Sequence, residues 1–221
     1  MAKLSDLIPT LAQVLPMPEQ TVAMYARHLR EARLLSTGGR GPGAAKMTAT
    51  DCARLLIAIM AADQVKNAVR AVETFWPLPQ EEIITTVDLP EDQREDWAPL
   101  PLPILDIMMP DGAEEQSFGE TVAGLIEAVR LGILTETMAH LTDANLRVEI
   151  ERRFHTGKIA FQYDEDGRGY PQLAMLARFY LPEGPERKRI EAESYISGGD
   201  AMISFAVTHH TINRLGALIR T

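Results

Sequence analysis

Residues 7–47 read LIPTLAQVLPMPEQTVAMYARHLREARLLSTGGRGPGAAKM, and the order of signals in this stretch decides how the N-terminal third folds. Leu7, Leu11, Val14 and Leu15 recur at helical spacing, with Ser5 or Asp6 placed to cap the start. Pro16 ends that helix, because it has no N–H to donate and its ring clashes with the preceding turn. Pro18 is tolerated in the first turn of a second helix, and Glu19 suits the positive end of that helix's dipole. Val22, Ala26 and Leu29 then make one apolar stripe, with Tyr25 beside it and Leu34 and Leu35 closing it. The opposite face carries Gln20, Thr21, Ala23, Met24, Arg27, His28, Arg30 and Glu31. From Ser36 to Lys46 the chain becomes a loop with glycines at 38, 39, 41 and 43 and basic side chains at Arg40 and Lys46. The expected order is helix, tight turn, helix, mobile basic loop.

A second helix pinned by an apolar stripe turns its polar side chains outward, where those near its start can reach base edges in a major groove. Gln20 has the donor and acceptor pattern for adenine, and Arg27 has that for guanine. Arg40 and Lys46 are placed to reach phosphate. The run Val14-Leu15-Pro16-Met17-Pro18-Glu19-Gln20-Thr21-Val22, followed by Leu29-Arg30-Glu31-Ala32-Arg33-Leu34-Leu35, resembles the helix-turn-helix core of bacterial and phage winged-helix regulators. The resemblance covers about residues 4–48. It implies a winged helix-turn-helix domain with residues 36–46 as the wing and double-stranded DNA as partner. The residues expected to touch DNA are Gln20, Thr21, Met24, Tyr25, Arg27, His28, Arg30, Arg40 and Lys46. Arg33 stands where such regulators usually have glycine, which leaves the geometry of the helix exit open.

A chain of 221 residues accommodates one large or two small domains. Its 46% hydrophobic and 24% charged residues are ordinary for a globular protein with a core. A net charge of −9 argues against a protein that coats nucleic acid without regard to sequence. That charge is unevenly spread: residues 1–75 hold nine Lys/Arg against six Asp/Glu, a balance of +3, while the remainder carries −12. A basic head on an acidic body fits this asymmetry, since the body repels phosphate while the head approaches it. The single cysteine, Cys52, excludes an internal disulfide and a thiolate zinc cluster, and its apolar helix face marks it as a small buried residue. No apolar run reaches the roughly 18 residues of a membrane span, and the N-terminus lacks signal-peptide character. The cytoplasm is the expected compartment, with no membrane partner.

Beyond the loop, Thr48-x-x-Asp51 resembles a capping box and opens a helix expected to run to about Phe75. Residues 76–110 hold seven of the 14 prolines and eight acids against the single Arg94, which reads as a linker. Within it, Ile83 to Val87 has strand character. Leu102 to Met109 is too apolar to stay solvated, so this linker is expected to wrap along the body or a partner subunit. Ser117-x-x-Glu120 opens a helix expected to reach Leu141, with Gly119, Gly124 and Gly132 pointing to close packing against a sheet. The pattern then alternates: Leu146, Val148, Ile150 and Phe154 face one way and Arg147, Glu149, Glu151 and Arg153 the other. A turn at Thr156-Gly157 leads to Ile159, Phe161 and Tyr163, a hairpin. Further strands are expected at 173–181, at 188–196 and, after a Gly198-Gly199-Asp200 turn, at 202–207. A closing helix runs from His209 to Arg220.

The whole is expected to be α+β: a mainly helical winged helix-turn-helix domain over 1–76, a proline-rich acidic linker over 77–116, and an antiparallel sheet with flanking helices over 117–221. Asp164-Glu165-Asp166-Gly167 lacks the ligand pattern of a calcium loop, and Gly167-Arg168-Gly169 is too short to cradle a phosphate. His209-His210 are expected to point apart, which is unsuited to a shared metal. No catalytic residue, metal site or cofactor is expected, and the chain does not read as an enzyme. The function expected is a sequence-specific DNA-binding protein, a transcriptional regulator acting as a homodimer or higher homo-oligomer. The alternatives are a phage-type DNA-packaging or replication-initiation factor, or a protein-docking module that does not bind DNA.

Overall fold

In a computed structural model of the protein, residues 2–39, 43–110, 116–167, 169–196 and 204–220 are described. Arg40 and Gly41 of the loop, Arg168, and the Gly198-Gly199-Asp200 turn with Met202 lie outside them. The chain is α+β. Helices α1 (Leu4–Val14), α2 (Glu19–Glu31), α3 (Ala49–Ala61) and α4 (Ala68–Phe75) come first. Strand β1 (Gln80–Thr85) and helices α5 (Leu102–Met108), α6 (Phe118–Leu131) and α7 (Ile133–Ala139) follow. Strands β2 (Thr142–Glu151), β3 (Thr156–Asp164) and β4 (Gln172–Phe179) then precede α8 (Pro185–Ile196), β5 (Ser204–Thr208) and α9 (His209–Arg220).

The five strands form one antiparallel sheet in the order β1-β4-β3-β2-β5. The alternation in β2 works as its sequence requires: Leu146, Val148 and Ile150 are buried, while Arg147 is exposed. Register sets Val207, Val148, Ile159 and Ala177 in one row across the sheet, and Leu146, Phe161 and Met175 in the next. These side chains face the helices. Phe118, at the start of α6, meets Phe179 edge to face at 5.3 Å, and its ring lies where a Cβ on Gly157 would have to sit, 2.6 Å away. The opposite sheet face carries a cross-strand ladder of charge through Glu82, Arg178, Lys158 and Glu149, in which Arg178 and Glu82 pair at 2.7 Å.

One hydrophobic cluster runs from Ala2 to Ile219. Helix α9 touches both α1 and α6, and α3 touches α6, so the N-terminal helices and the sheet share this core. The segment expected to be a linker is built into it. Strand β1 pairs with β4, and α5 buries Ile104 and Met108. Between them, Ala98 N–H donates to Leu173 O at 3.0 Å and the Tyr163 hydroxyl donates to Pro99 O at 2.8 Å. Proline breaks this stretch into short pieces, but their apolar side chains still bury.

Four local expectations are corrected. Residues 188–196 lie in helix α8, not in a strand: Pro185 suits its first turn, and Arg187 and Glu191 pair one turn apart at 3.2 Å. The helix expected over 48–75 breaks after Ala61, where Asp63 Oδ1 accepts from Gln64 N at 2.8 Å and from Asn67 Nδ2 at 2.7 Å. The helix expected to reach Leu141 divides at Gly132, whose φ of +89° ends α6. Its Gly119 lies against the Trp76 ring and not against the sheet. Finally, the β2–β3 turn occupies residues 152–155, and Thr156-Gly157 already belong to β3.

Candidate nucleic-acid interface

Helix α2 is held from behind. Val22, Tyr25, Ala26 and Leu29 are buried, and all four lie on one side of the helix. On the other side Gln20, Met24, Arg27 and Glu31 follow one another along the exposed ridge, flanked by Arg30 on one edge and by half-buried Thr21 and His28 on the other. Met24 is 48% exposed, one of several large apolar side chains left at the surface. Arg27 Nε meets Glu31 Oε1 at 2.7 Å, one turn apart. The hydrogen bond and charge of Glu31 raise the Arg27 pKa, and Arg27 holds the Glu31 carboxyl below its usual range. Both side chains are more than half exposed, so the pair is weak.

The exit of α2 is well defined. Arg33 takes a φ of +61°, Leu34 N–H donates back to Leu29 O at 2.8 Å, and Arg33 N–H donates to Arg30 O at 3.0 Å. This is the paired closure that usually recruits glycine at the left-handed position. The helix thus leaves by a glycine-type turn even though an arginine stands there. Helix α3 then fixes the departing chain at two points. Arg54 Nη1 donates to Leu34 O at 3.0 Å, and Ser36 N–H donates to Asp51 Oδ1 at 2.7 Å. Asp51 is buried and also closes the capping box, accepting from Thr48 N at 2.9 Å and from Thr48 Oγ1 at 2.9 Å. The box was legible in the sequence; the tie to Ser36, fifteen residues away, was not.

The loop that follows is closed at its base without a strand ladder. A Cβ on Gly38 would lie 2.6 Å from Ala45 N, so the two arms touch there. Among the described residues of 36–46, strand-like pairing is limited to the bridge between Lys46 and Lys3. The loop and the end of α2 enclose a cleft of about 750 Å³ whose lining includes Lys3, Arg30, Ser36 and Thr37.

Of the nine residues expected to touch DNA, Gln20, Thr21, Met24, Arg27, His28 and Arg30 share the outward side of α2, and exposed Lys46 stands at the foot of the loop. Arg40 lies outside the described residues. Tyr25 is corrected: it is buried on the inner side of α2 and lines a different cleft, beside Arg152. The apolar spacing of α2 carried this signal, because Tyr25 falls within the stripe set by Val22, Ala26 and Leu29.

Other chemistry is sparse. The thiol of buried Cys52 is pushed up to about 12 by burial first and by neighbouring Asp51 second. The rings of His209 and His210 lie 4.0 Å apart and do not diverge as expected; His209 Nδ1 sits 3.2 Å from Asn145 Oδ1. Burial, then His210, lowers the His209 pKa. Among the described residues no group of three His, Cys, Asp or Glu side chains is placed to hold a metal ion, and no helix is long and apolar enough to cross a membrane. Comparison with protein-family models, with curated proteins and with solved structures finds no match to this chain.

Proposed function

We propose that the protein binds duplex DNA in a sequence-dependent way through the outward side of α2, as a transcriptional regulator of bacterial or phage type. The observation that supports this best is the division of α2. Its apolar stripe is consumed by the core, and its free side offers one amide, one thioether and two guanidinium groups at helical spacing. Those groups suit base edges: Gln20 for adenine, Arg27 or Arg30 for guanine, and Met24 for the thymine methyl. The charge distribution supports the same reading. A net charge of +3 over residues 1–75, against −12 over the remainder, favours approach of the N-terminal third to a polyanion. One such helix covers little surface, so we propose that the protein acts as a homodimer whose two copies of α2 reach paired half-sites.

The test is fluorescence anisotropy of a labelled duplex pool, comparing the wild type with an Arg27→Gln, Arg30→Gln double variant across a salt series. Wild-type binding that falls steeply with salt, and a variant that binds more weakly with a shallower salt slope, is the expected result. Equal binding by the two proteins would remove α2 from the interface. Absence of binding by the folded wild type at low salt would favour the reading in which the same helix side, with Met24 at its centre, docks a protein.

A further inference from the structure

A second cleft lies under the turn that leads into α2, and nothing in the DNA reading uses it. It has a volume of about 530 Å³, within the usual size of a small-molecule site. Its walls come from both layers of the fold. Met17 and Tyr25 contribute from the α1–α2 turn and α2, Ile59 from α3, Arg152 from the β2–β3 turn, and Phe205 and Thr208 from β5. Most of that lining is apolar. Arg152 is the one basic side chain in it, and Asp63 the one acidic.

Arg152 is fixed as a donor pointing in a set plane. Its Nε donates to Met60 O at 2.9 Å, and its guanidinium lies over the Phe205 ring, 4.1 Å from the centroid. Among the described residues its Nη atoms have no hydrogen-bond partner. The guanidinium is half-buried, and desolvation is the main cause of the lowering of its pKa; the charges of Tyr25 and Asp63 act the other way. A guanidinium held flat, partly stripped of water and left with its Nη edge unused is suited to a planar, singly charged acceptor that takes two parallel hydrogen bonds. A dianion fits less well. Asp63 lines the same cleft and repels a second negative charge.

We propose that this cleft binds a small monocarboxylate with an aryl or short alkyl body, its carboxylate paired with the Nη edge of Arg152 and its apolar body lying against Met17, Ile59 and Phe205. Thr208 stands at the β5 wall to serve a second polar group. The site goes beyond the DNA reading and stands without it, because none of its groups belongs to the outward side of α2.

The experiment uses the full-length protein labelled with 13C at methionine and isoleucine methyl groups. It is titrated with 3-phenylpropionate and, separately, with its uncharged amide, 3-phenylpropanamide. The expected result is saturable shifts at the Met17 and Ile59 methyls with the carboxylate, and binding of the amide at least tenfold weaker. Arg152→Met should weaken carboxylate binding at least tenfold and leave amide binding unchanged. Arg152→Lys, which keeps the charge but loses the fork, should fall between. Equal affinity for acid and amide would overturn the proposal, and because that comparison is made on the wild type it does not depend on how either variant folds. Absence of shifts at Met17 and Ile59 with millimolar carboxylate would overturn it as well, as would shifts confined to methyls elsewhere in the chain.

Discussion

Arg33 closes α2 with a φ of +61°. Its backbone sits in the left-handed region, where any side chain with a Cβ is strained, yet both closing hydrogen bonds of the turn are made. Arg33→Gly should therefore stabilise the protein by about 0.5–1 kcal/mol, read as a raised midpoint in urea with an unchanged slope. A second residue-scale prediction concerns Glu151. It is buried, its Oε1 has no partner, and burial raises its pKa; the charge of Lys158 acts the other way and that of Glu149 adds to the rise. A raised carboxyl pKa means that the folded state binds the proton more tightly than the unfolded one. The folded state is then favoured at low pH, and that advantage is lost as pH rises through the folded pKa. Glu151→Gln should be more stable than the wild type at neutral pH, and the difference should shrink as pH falls towards about 4, the usual carboxylate range. Thermal melts at several pH values measure this; a constant difference would show that burial does not raise the carboxyl pKa.

At the scale of elements, α2 and the chain leaving it are set by α3. Loss of the Asp51 side chain removes the partner of two backbone N–H groups, Thr48 and Ser36. Asp51→Ala should cost about 1–3 kcal/mol, and amide exchange should quicken over residues 34–39 before it does in the sheet. The Arg27–Glu31 pair makes a functional prediction at the same scale. Glu31→Gln frees Arg27 and removes a negative charge from the proposed DNA side, so DNA affinity should rise and the salt slope steepen. A fall in affinity would mean that Glu31 positions Arg27 for its contact. The sequence announced most of these elements because each carries its own punctuation: Pro16 and Pro18 around the first turn, Thr48 and Asp51 at the cap of α3, Ser117 and Glu120 at that of α6. It misled where local signals were ambiguous. Helix α8 has weak amphipathic character, so its apolar spacing does not separate helix from strand. The break after Ala61 coincides with local hydrogen bonds to Asp63, from Gln64 N and Asn67 Nδ2, that the surrounding apolar run conceals.

At the scale of the whole molecule, the sequence marked two regions and a linker, whereas the structure joins them through one core. Charge and proline content pointed to a boundary near residue 77, but they say nothing about which buried surfaces meet. That information is non-local: α9, the last helix, lies against α1, the first, and β1 enters the sheet beside β4, far along the chain. The outward side of α2 was legible, because amphipathic spacing fixes what a helix cannot bury. The Arg152 cleft was not, because its walls come from five separate parts of the sequence. A consequence follows for stability. A fragment ending at residue 76 exposes the side of α1 that α9 covers, so it should lack a cooperative thermal transition, while the full chain should unfold in one. A fragment that melts cooperatively on its own would show that the N-terminal helices form an independent unit.

The central claim is that α2 reads DNA sequence, and selection from a random duplex library tests it most directly. Full-length protein should enrich one short motif, in two copies related by symmetry if the protein acts as a dimer. A Gln20→Ala, Arg27→Ala variant should change or abolish the enriched motif while keeping the wild-type fold. Enrichment of no motif by the wild type, or of the same motif by both proteins, would contradict the account.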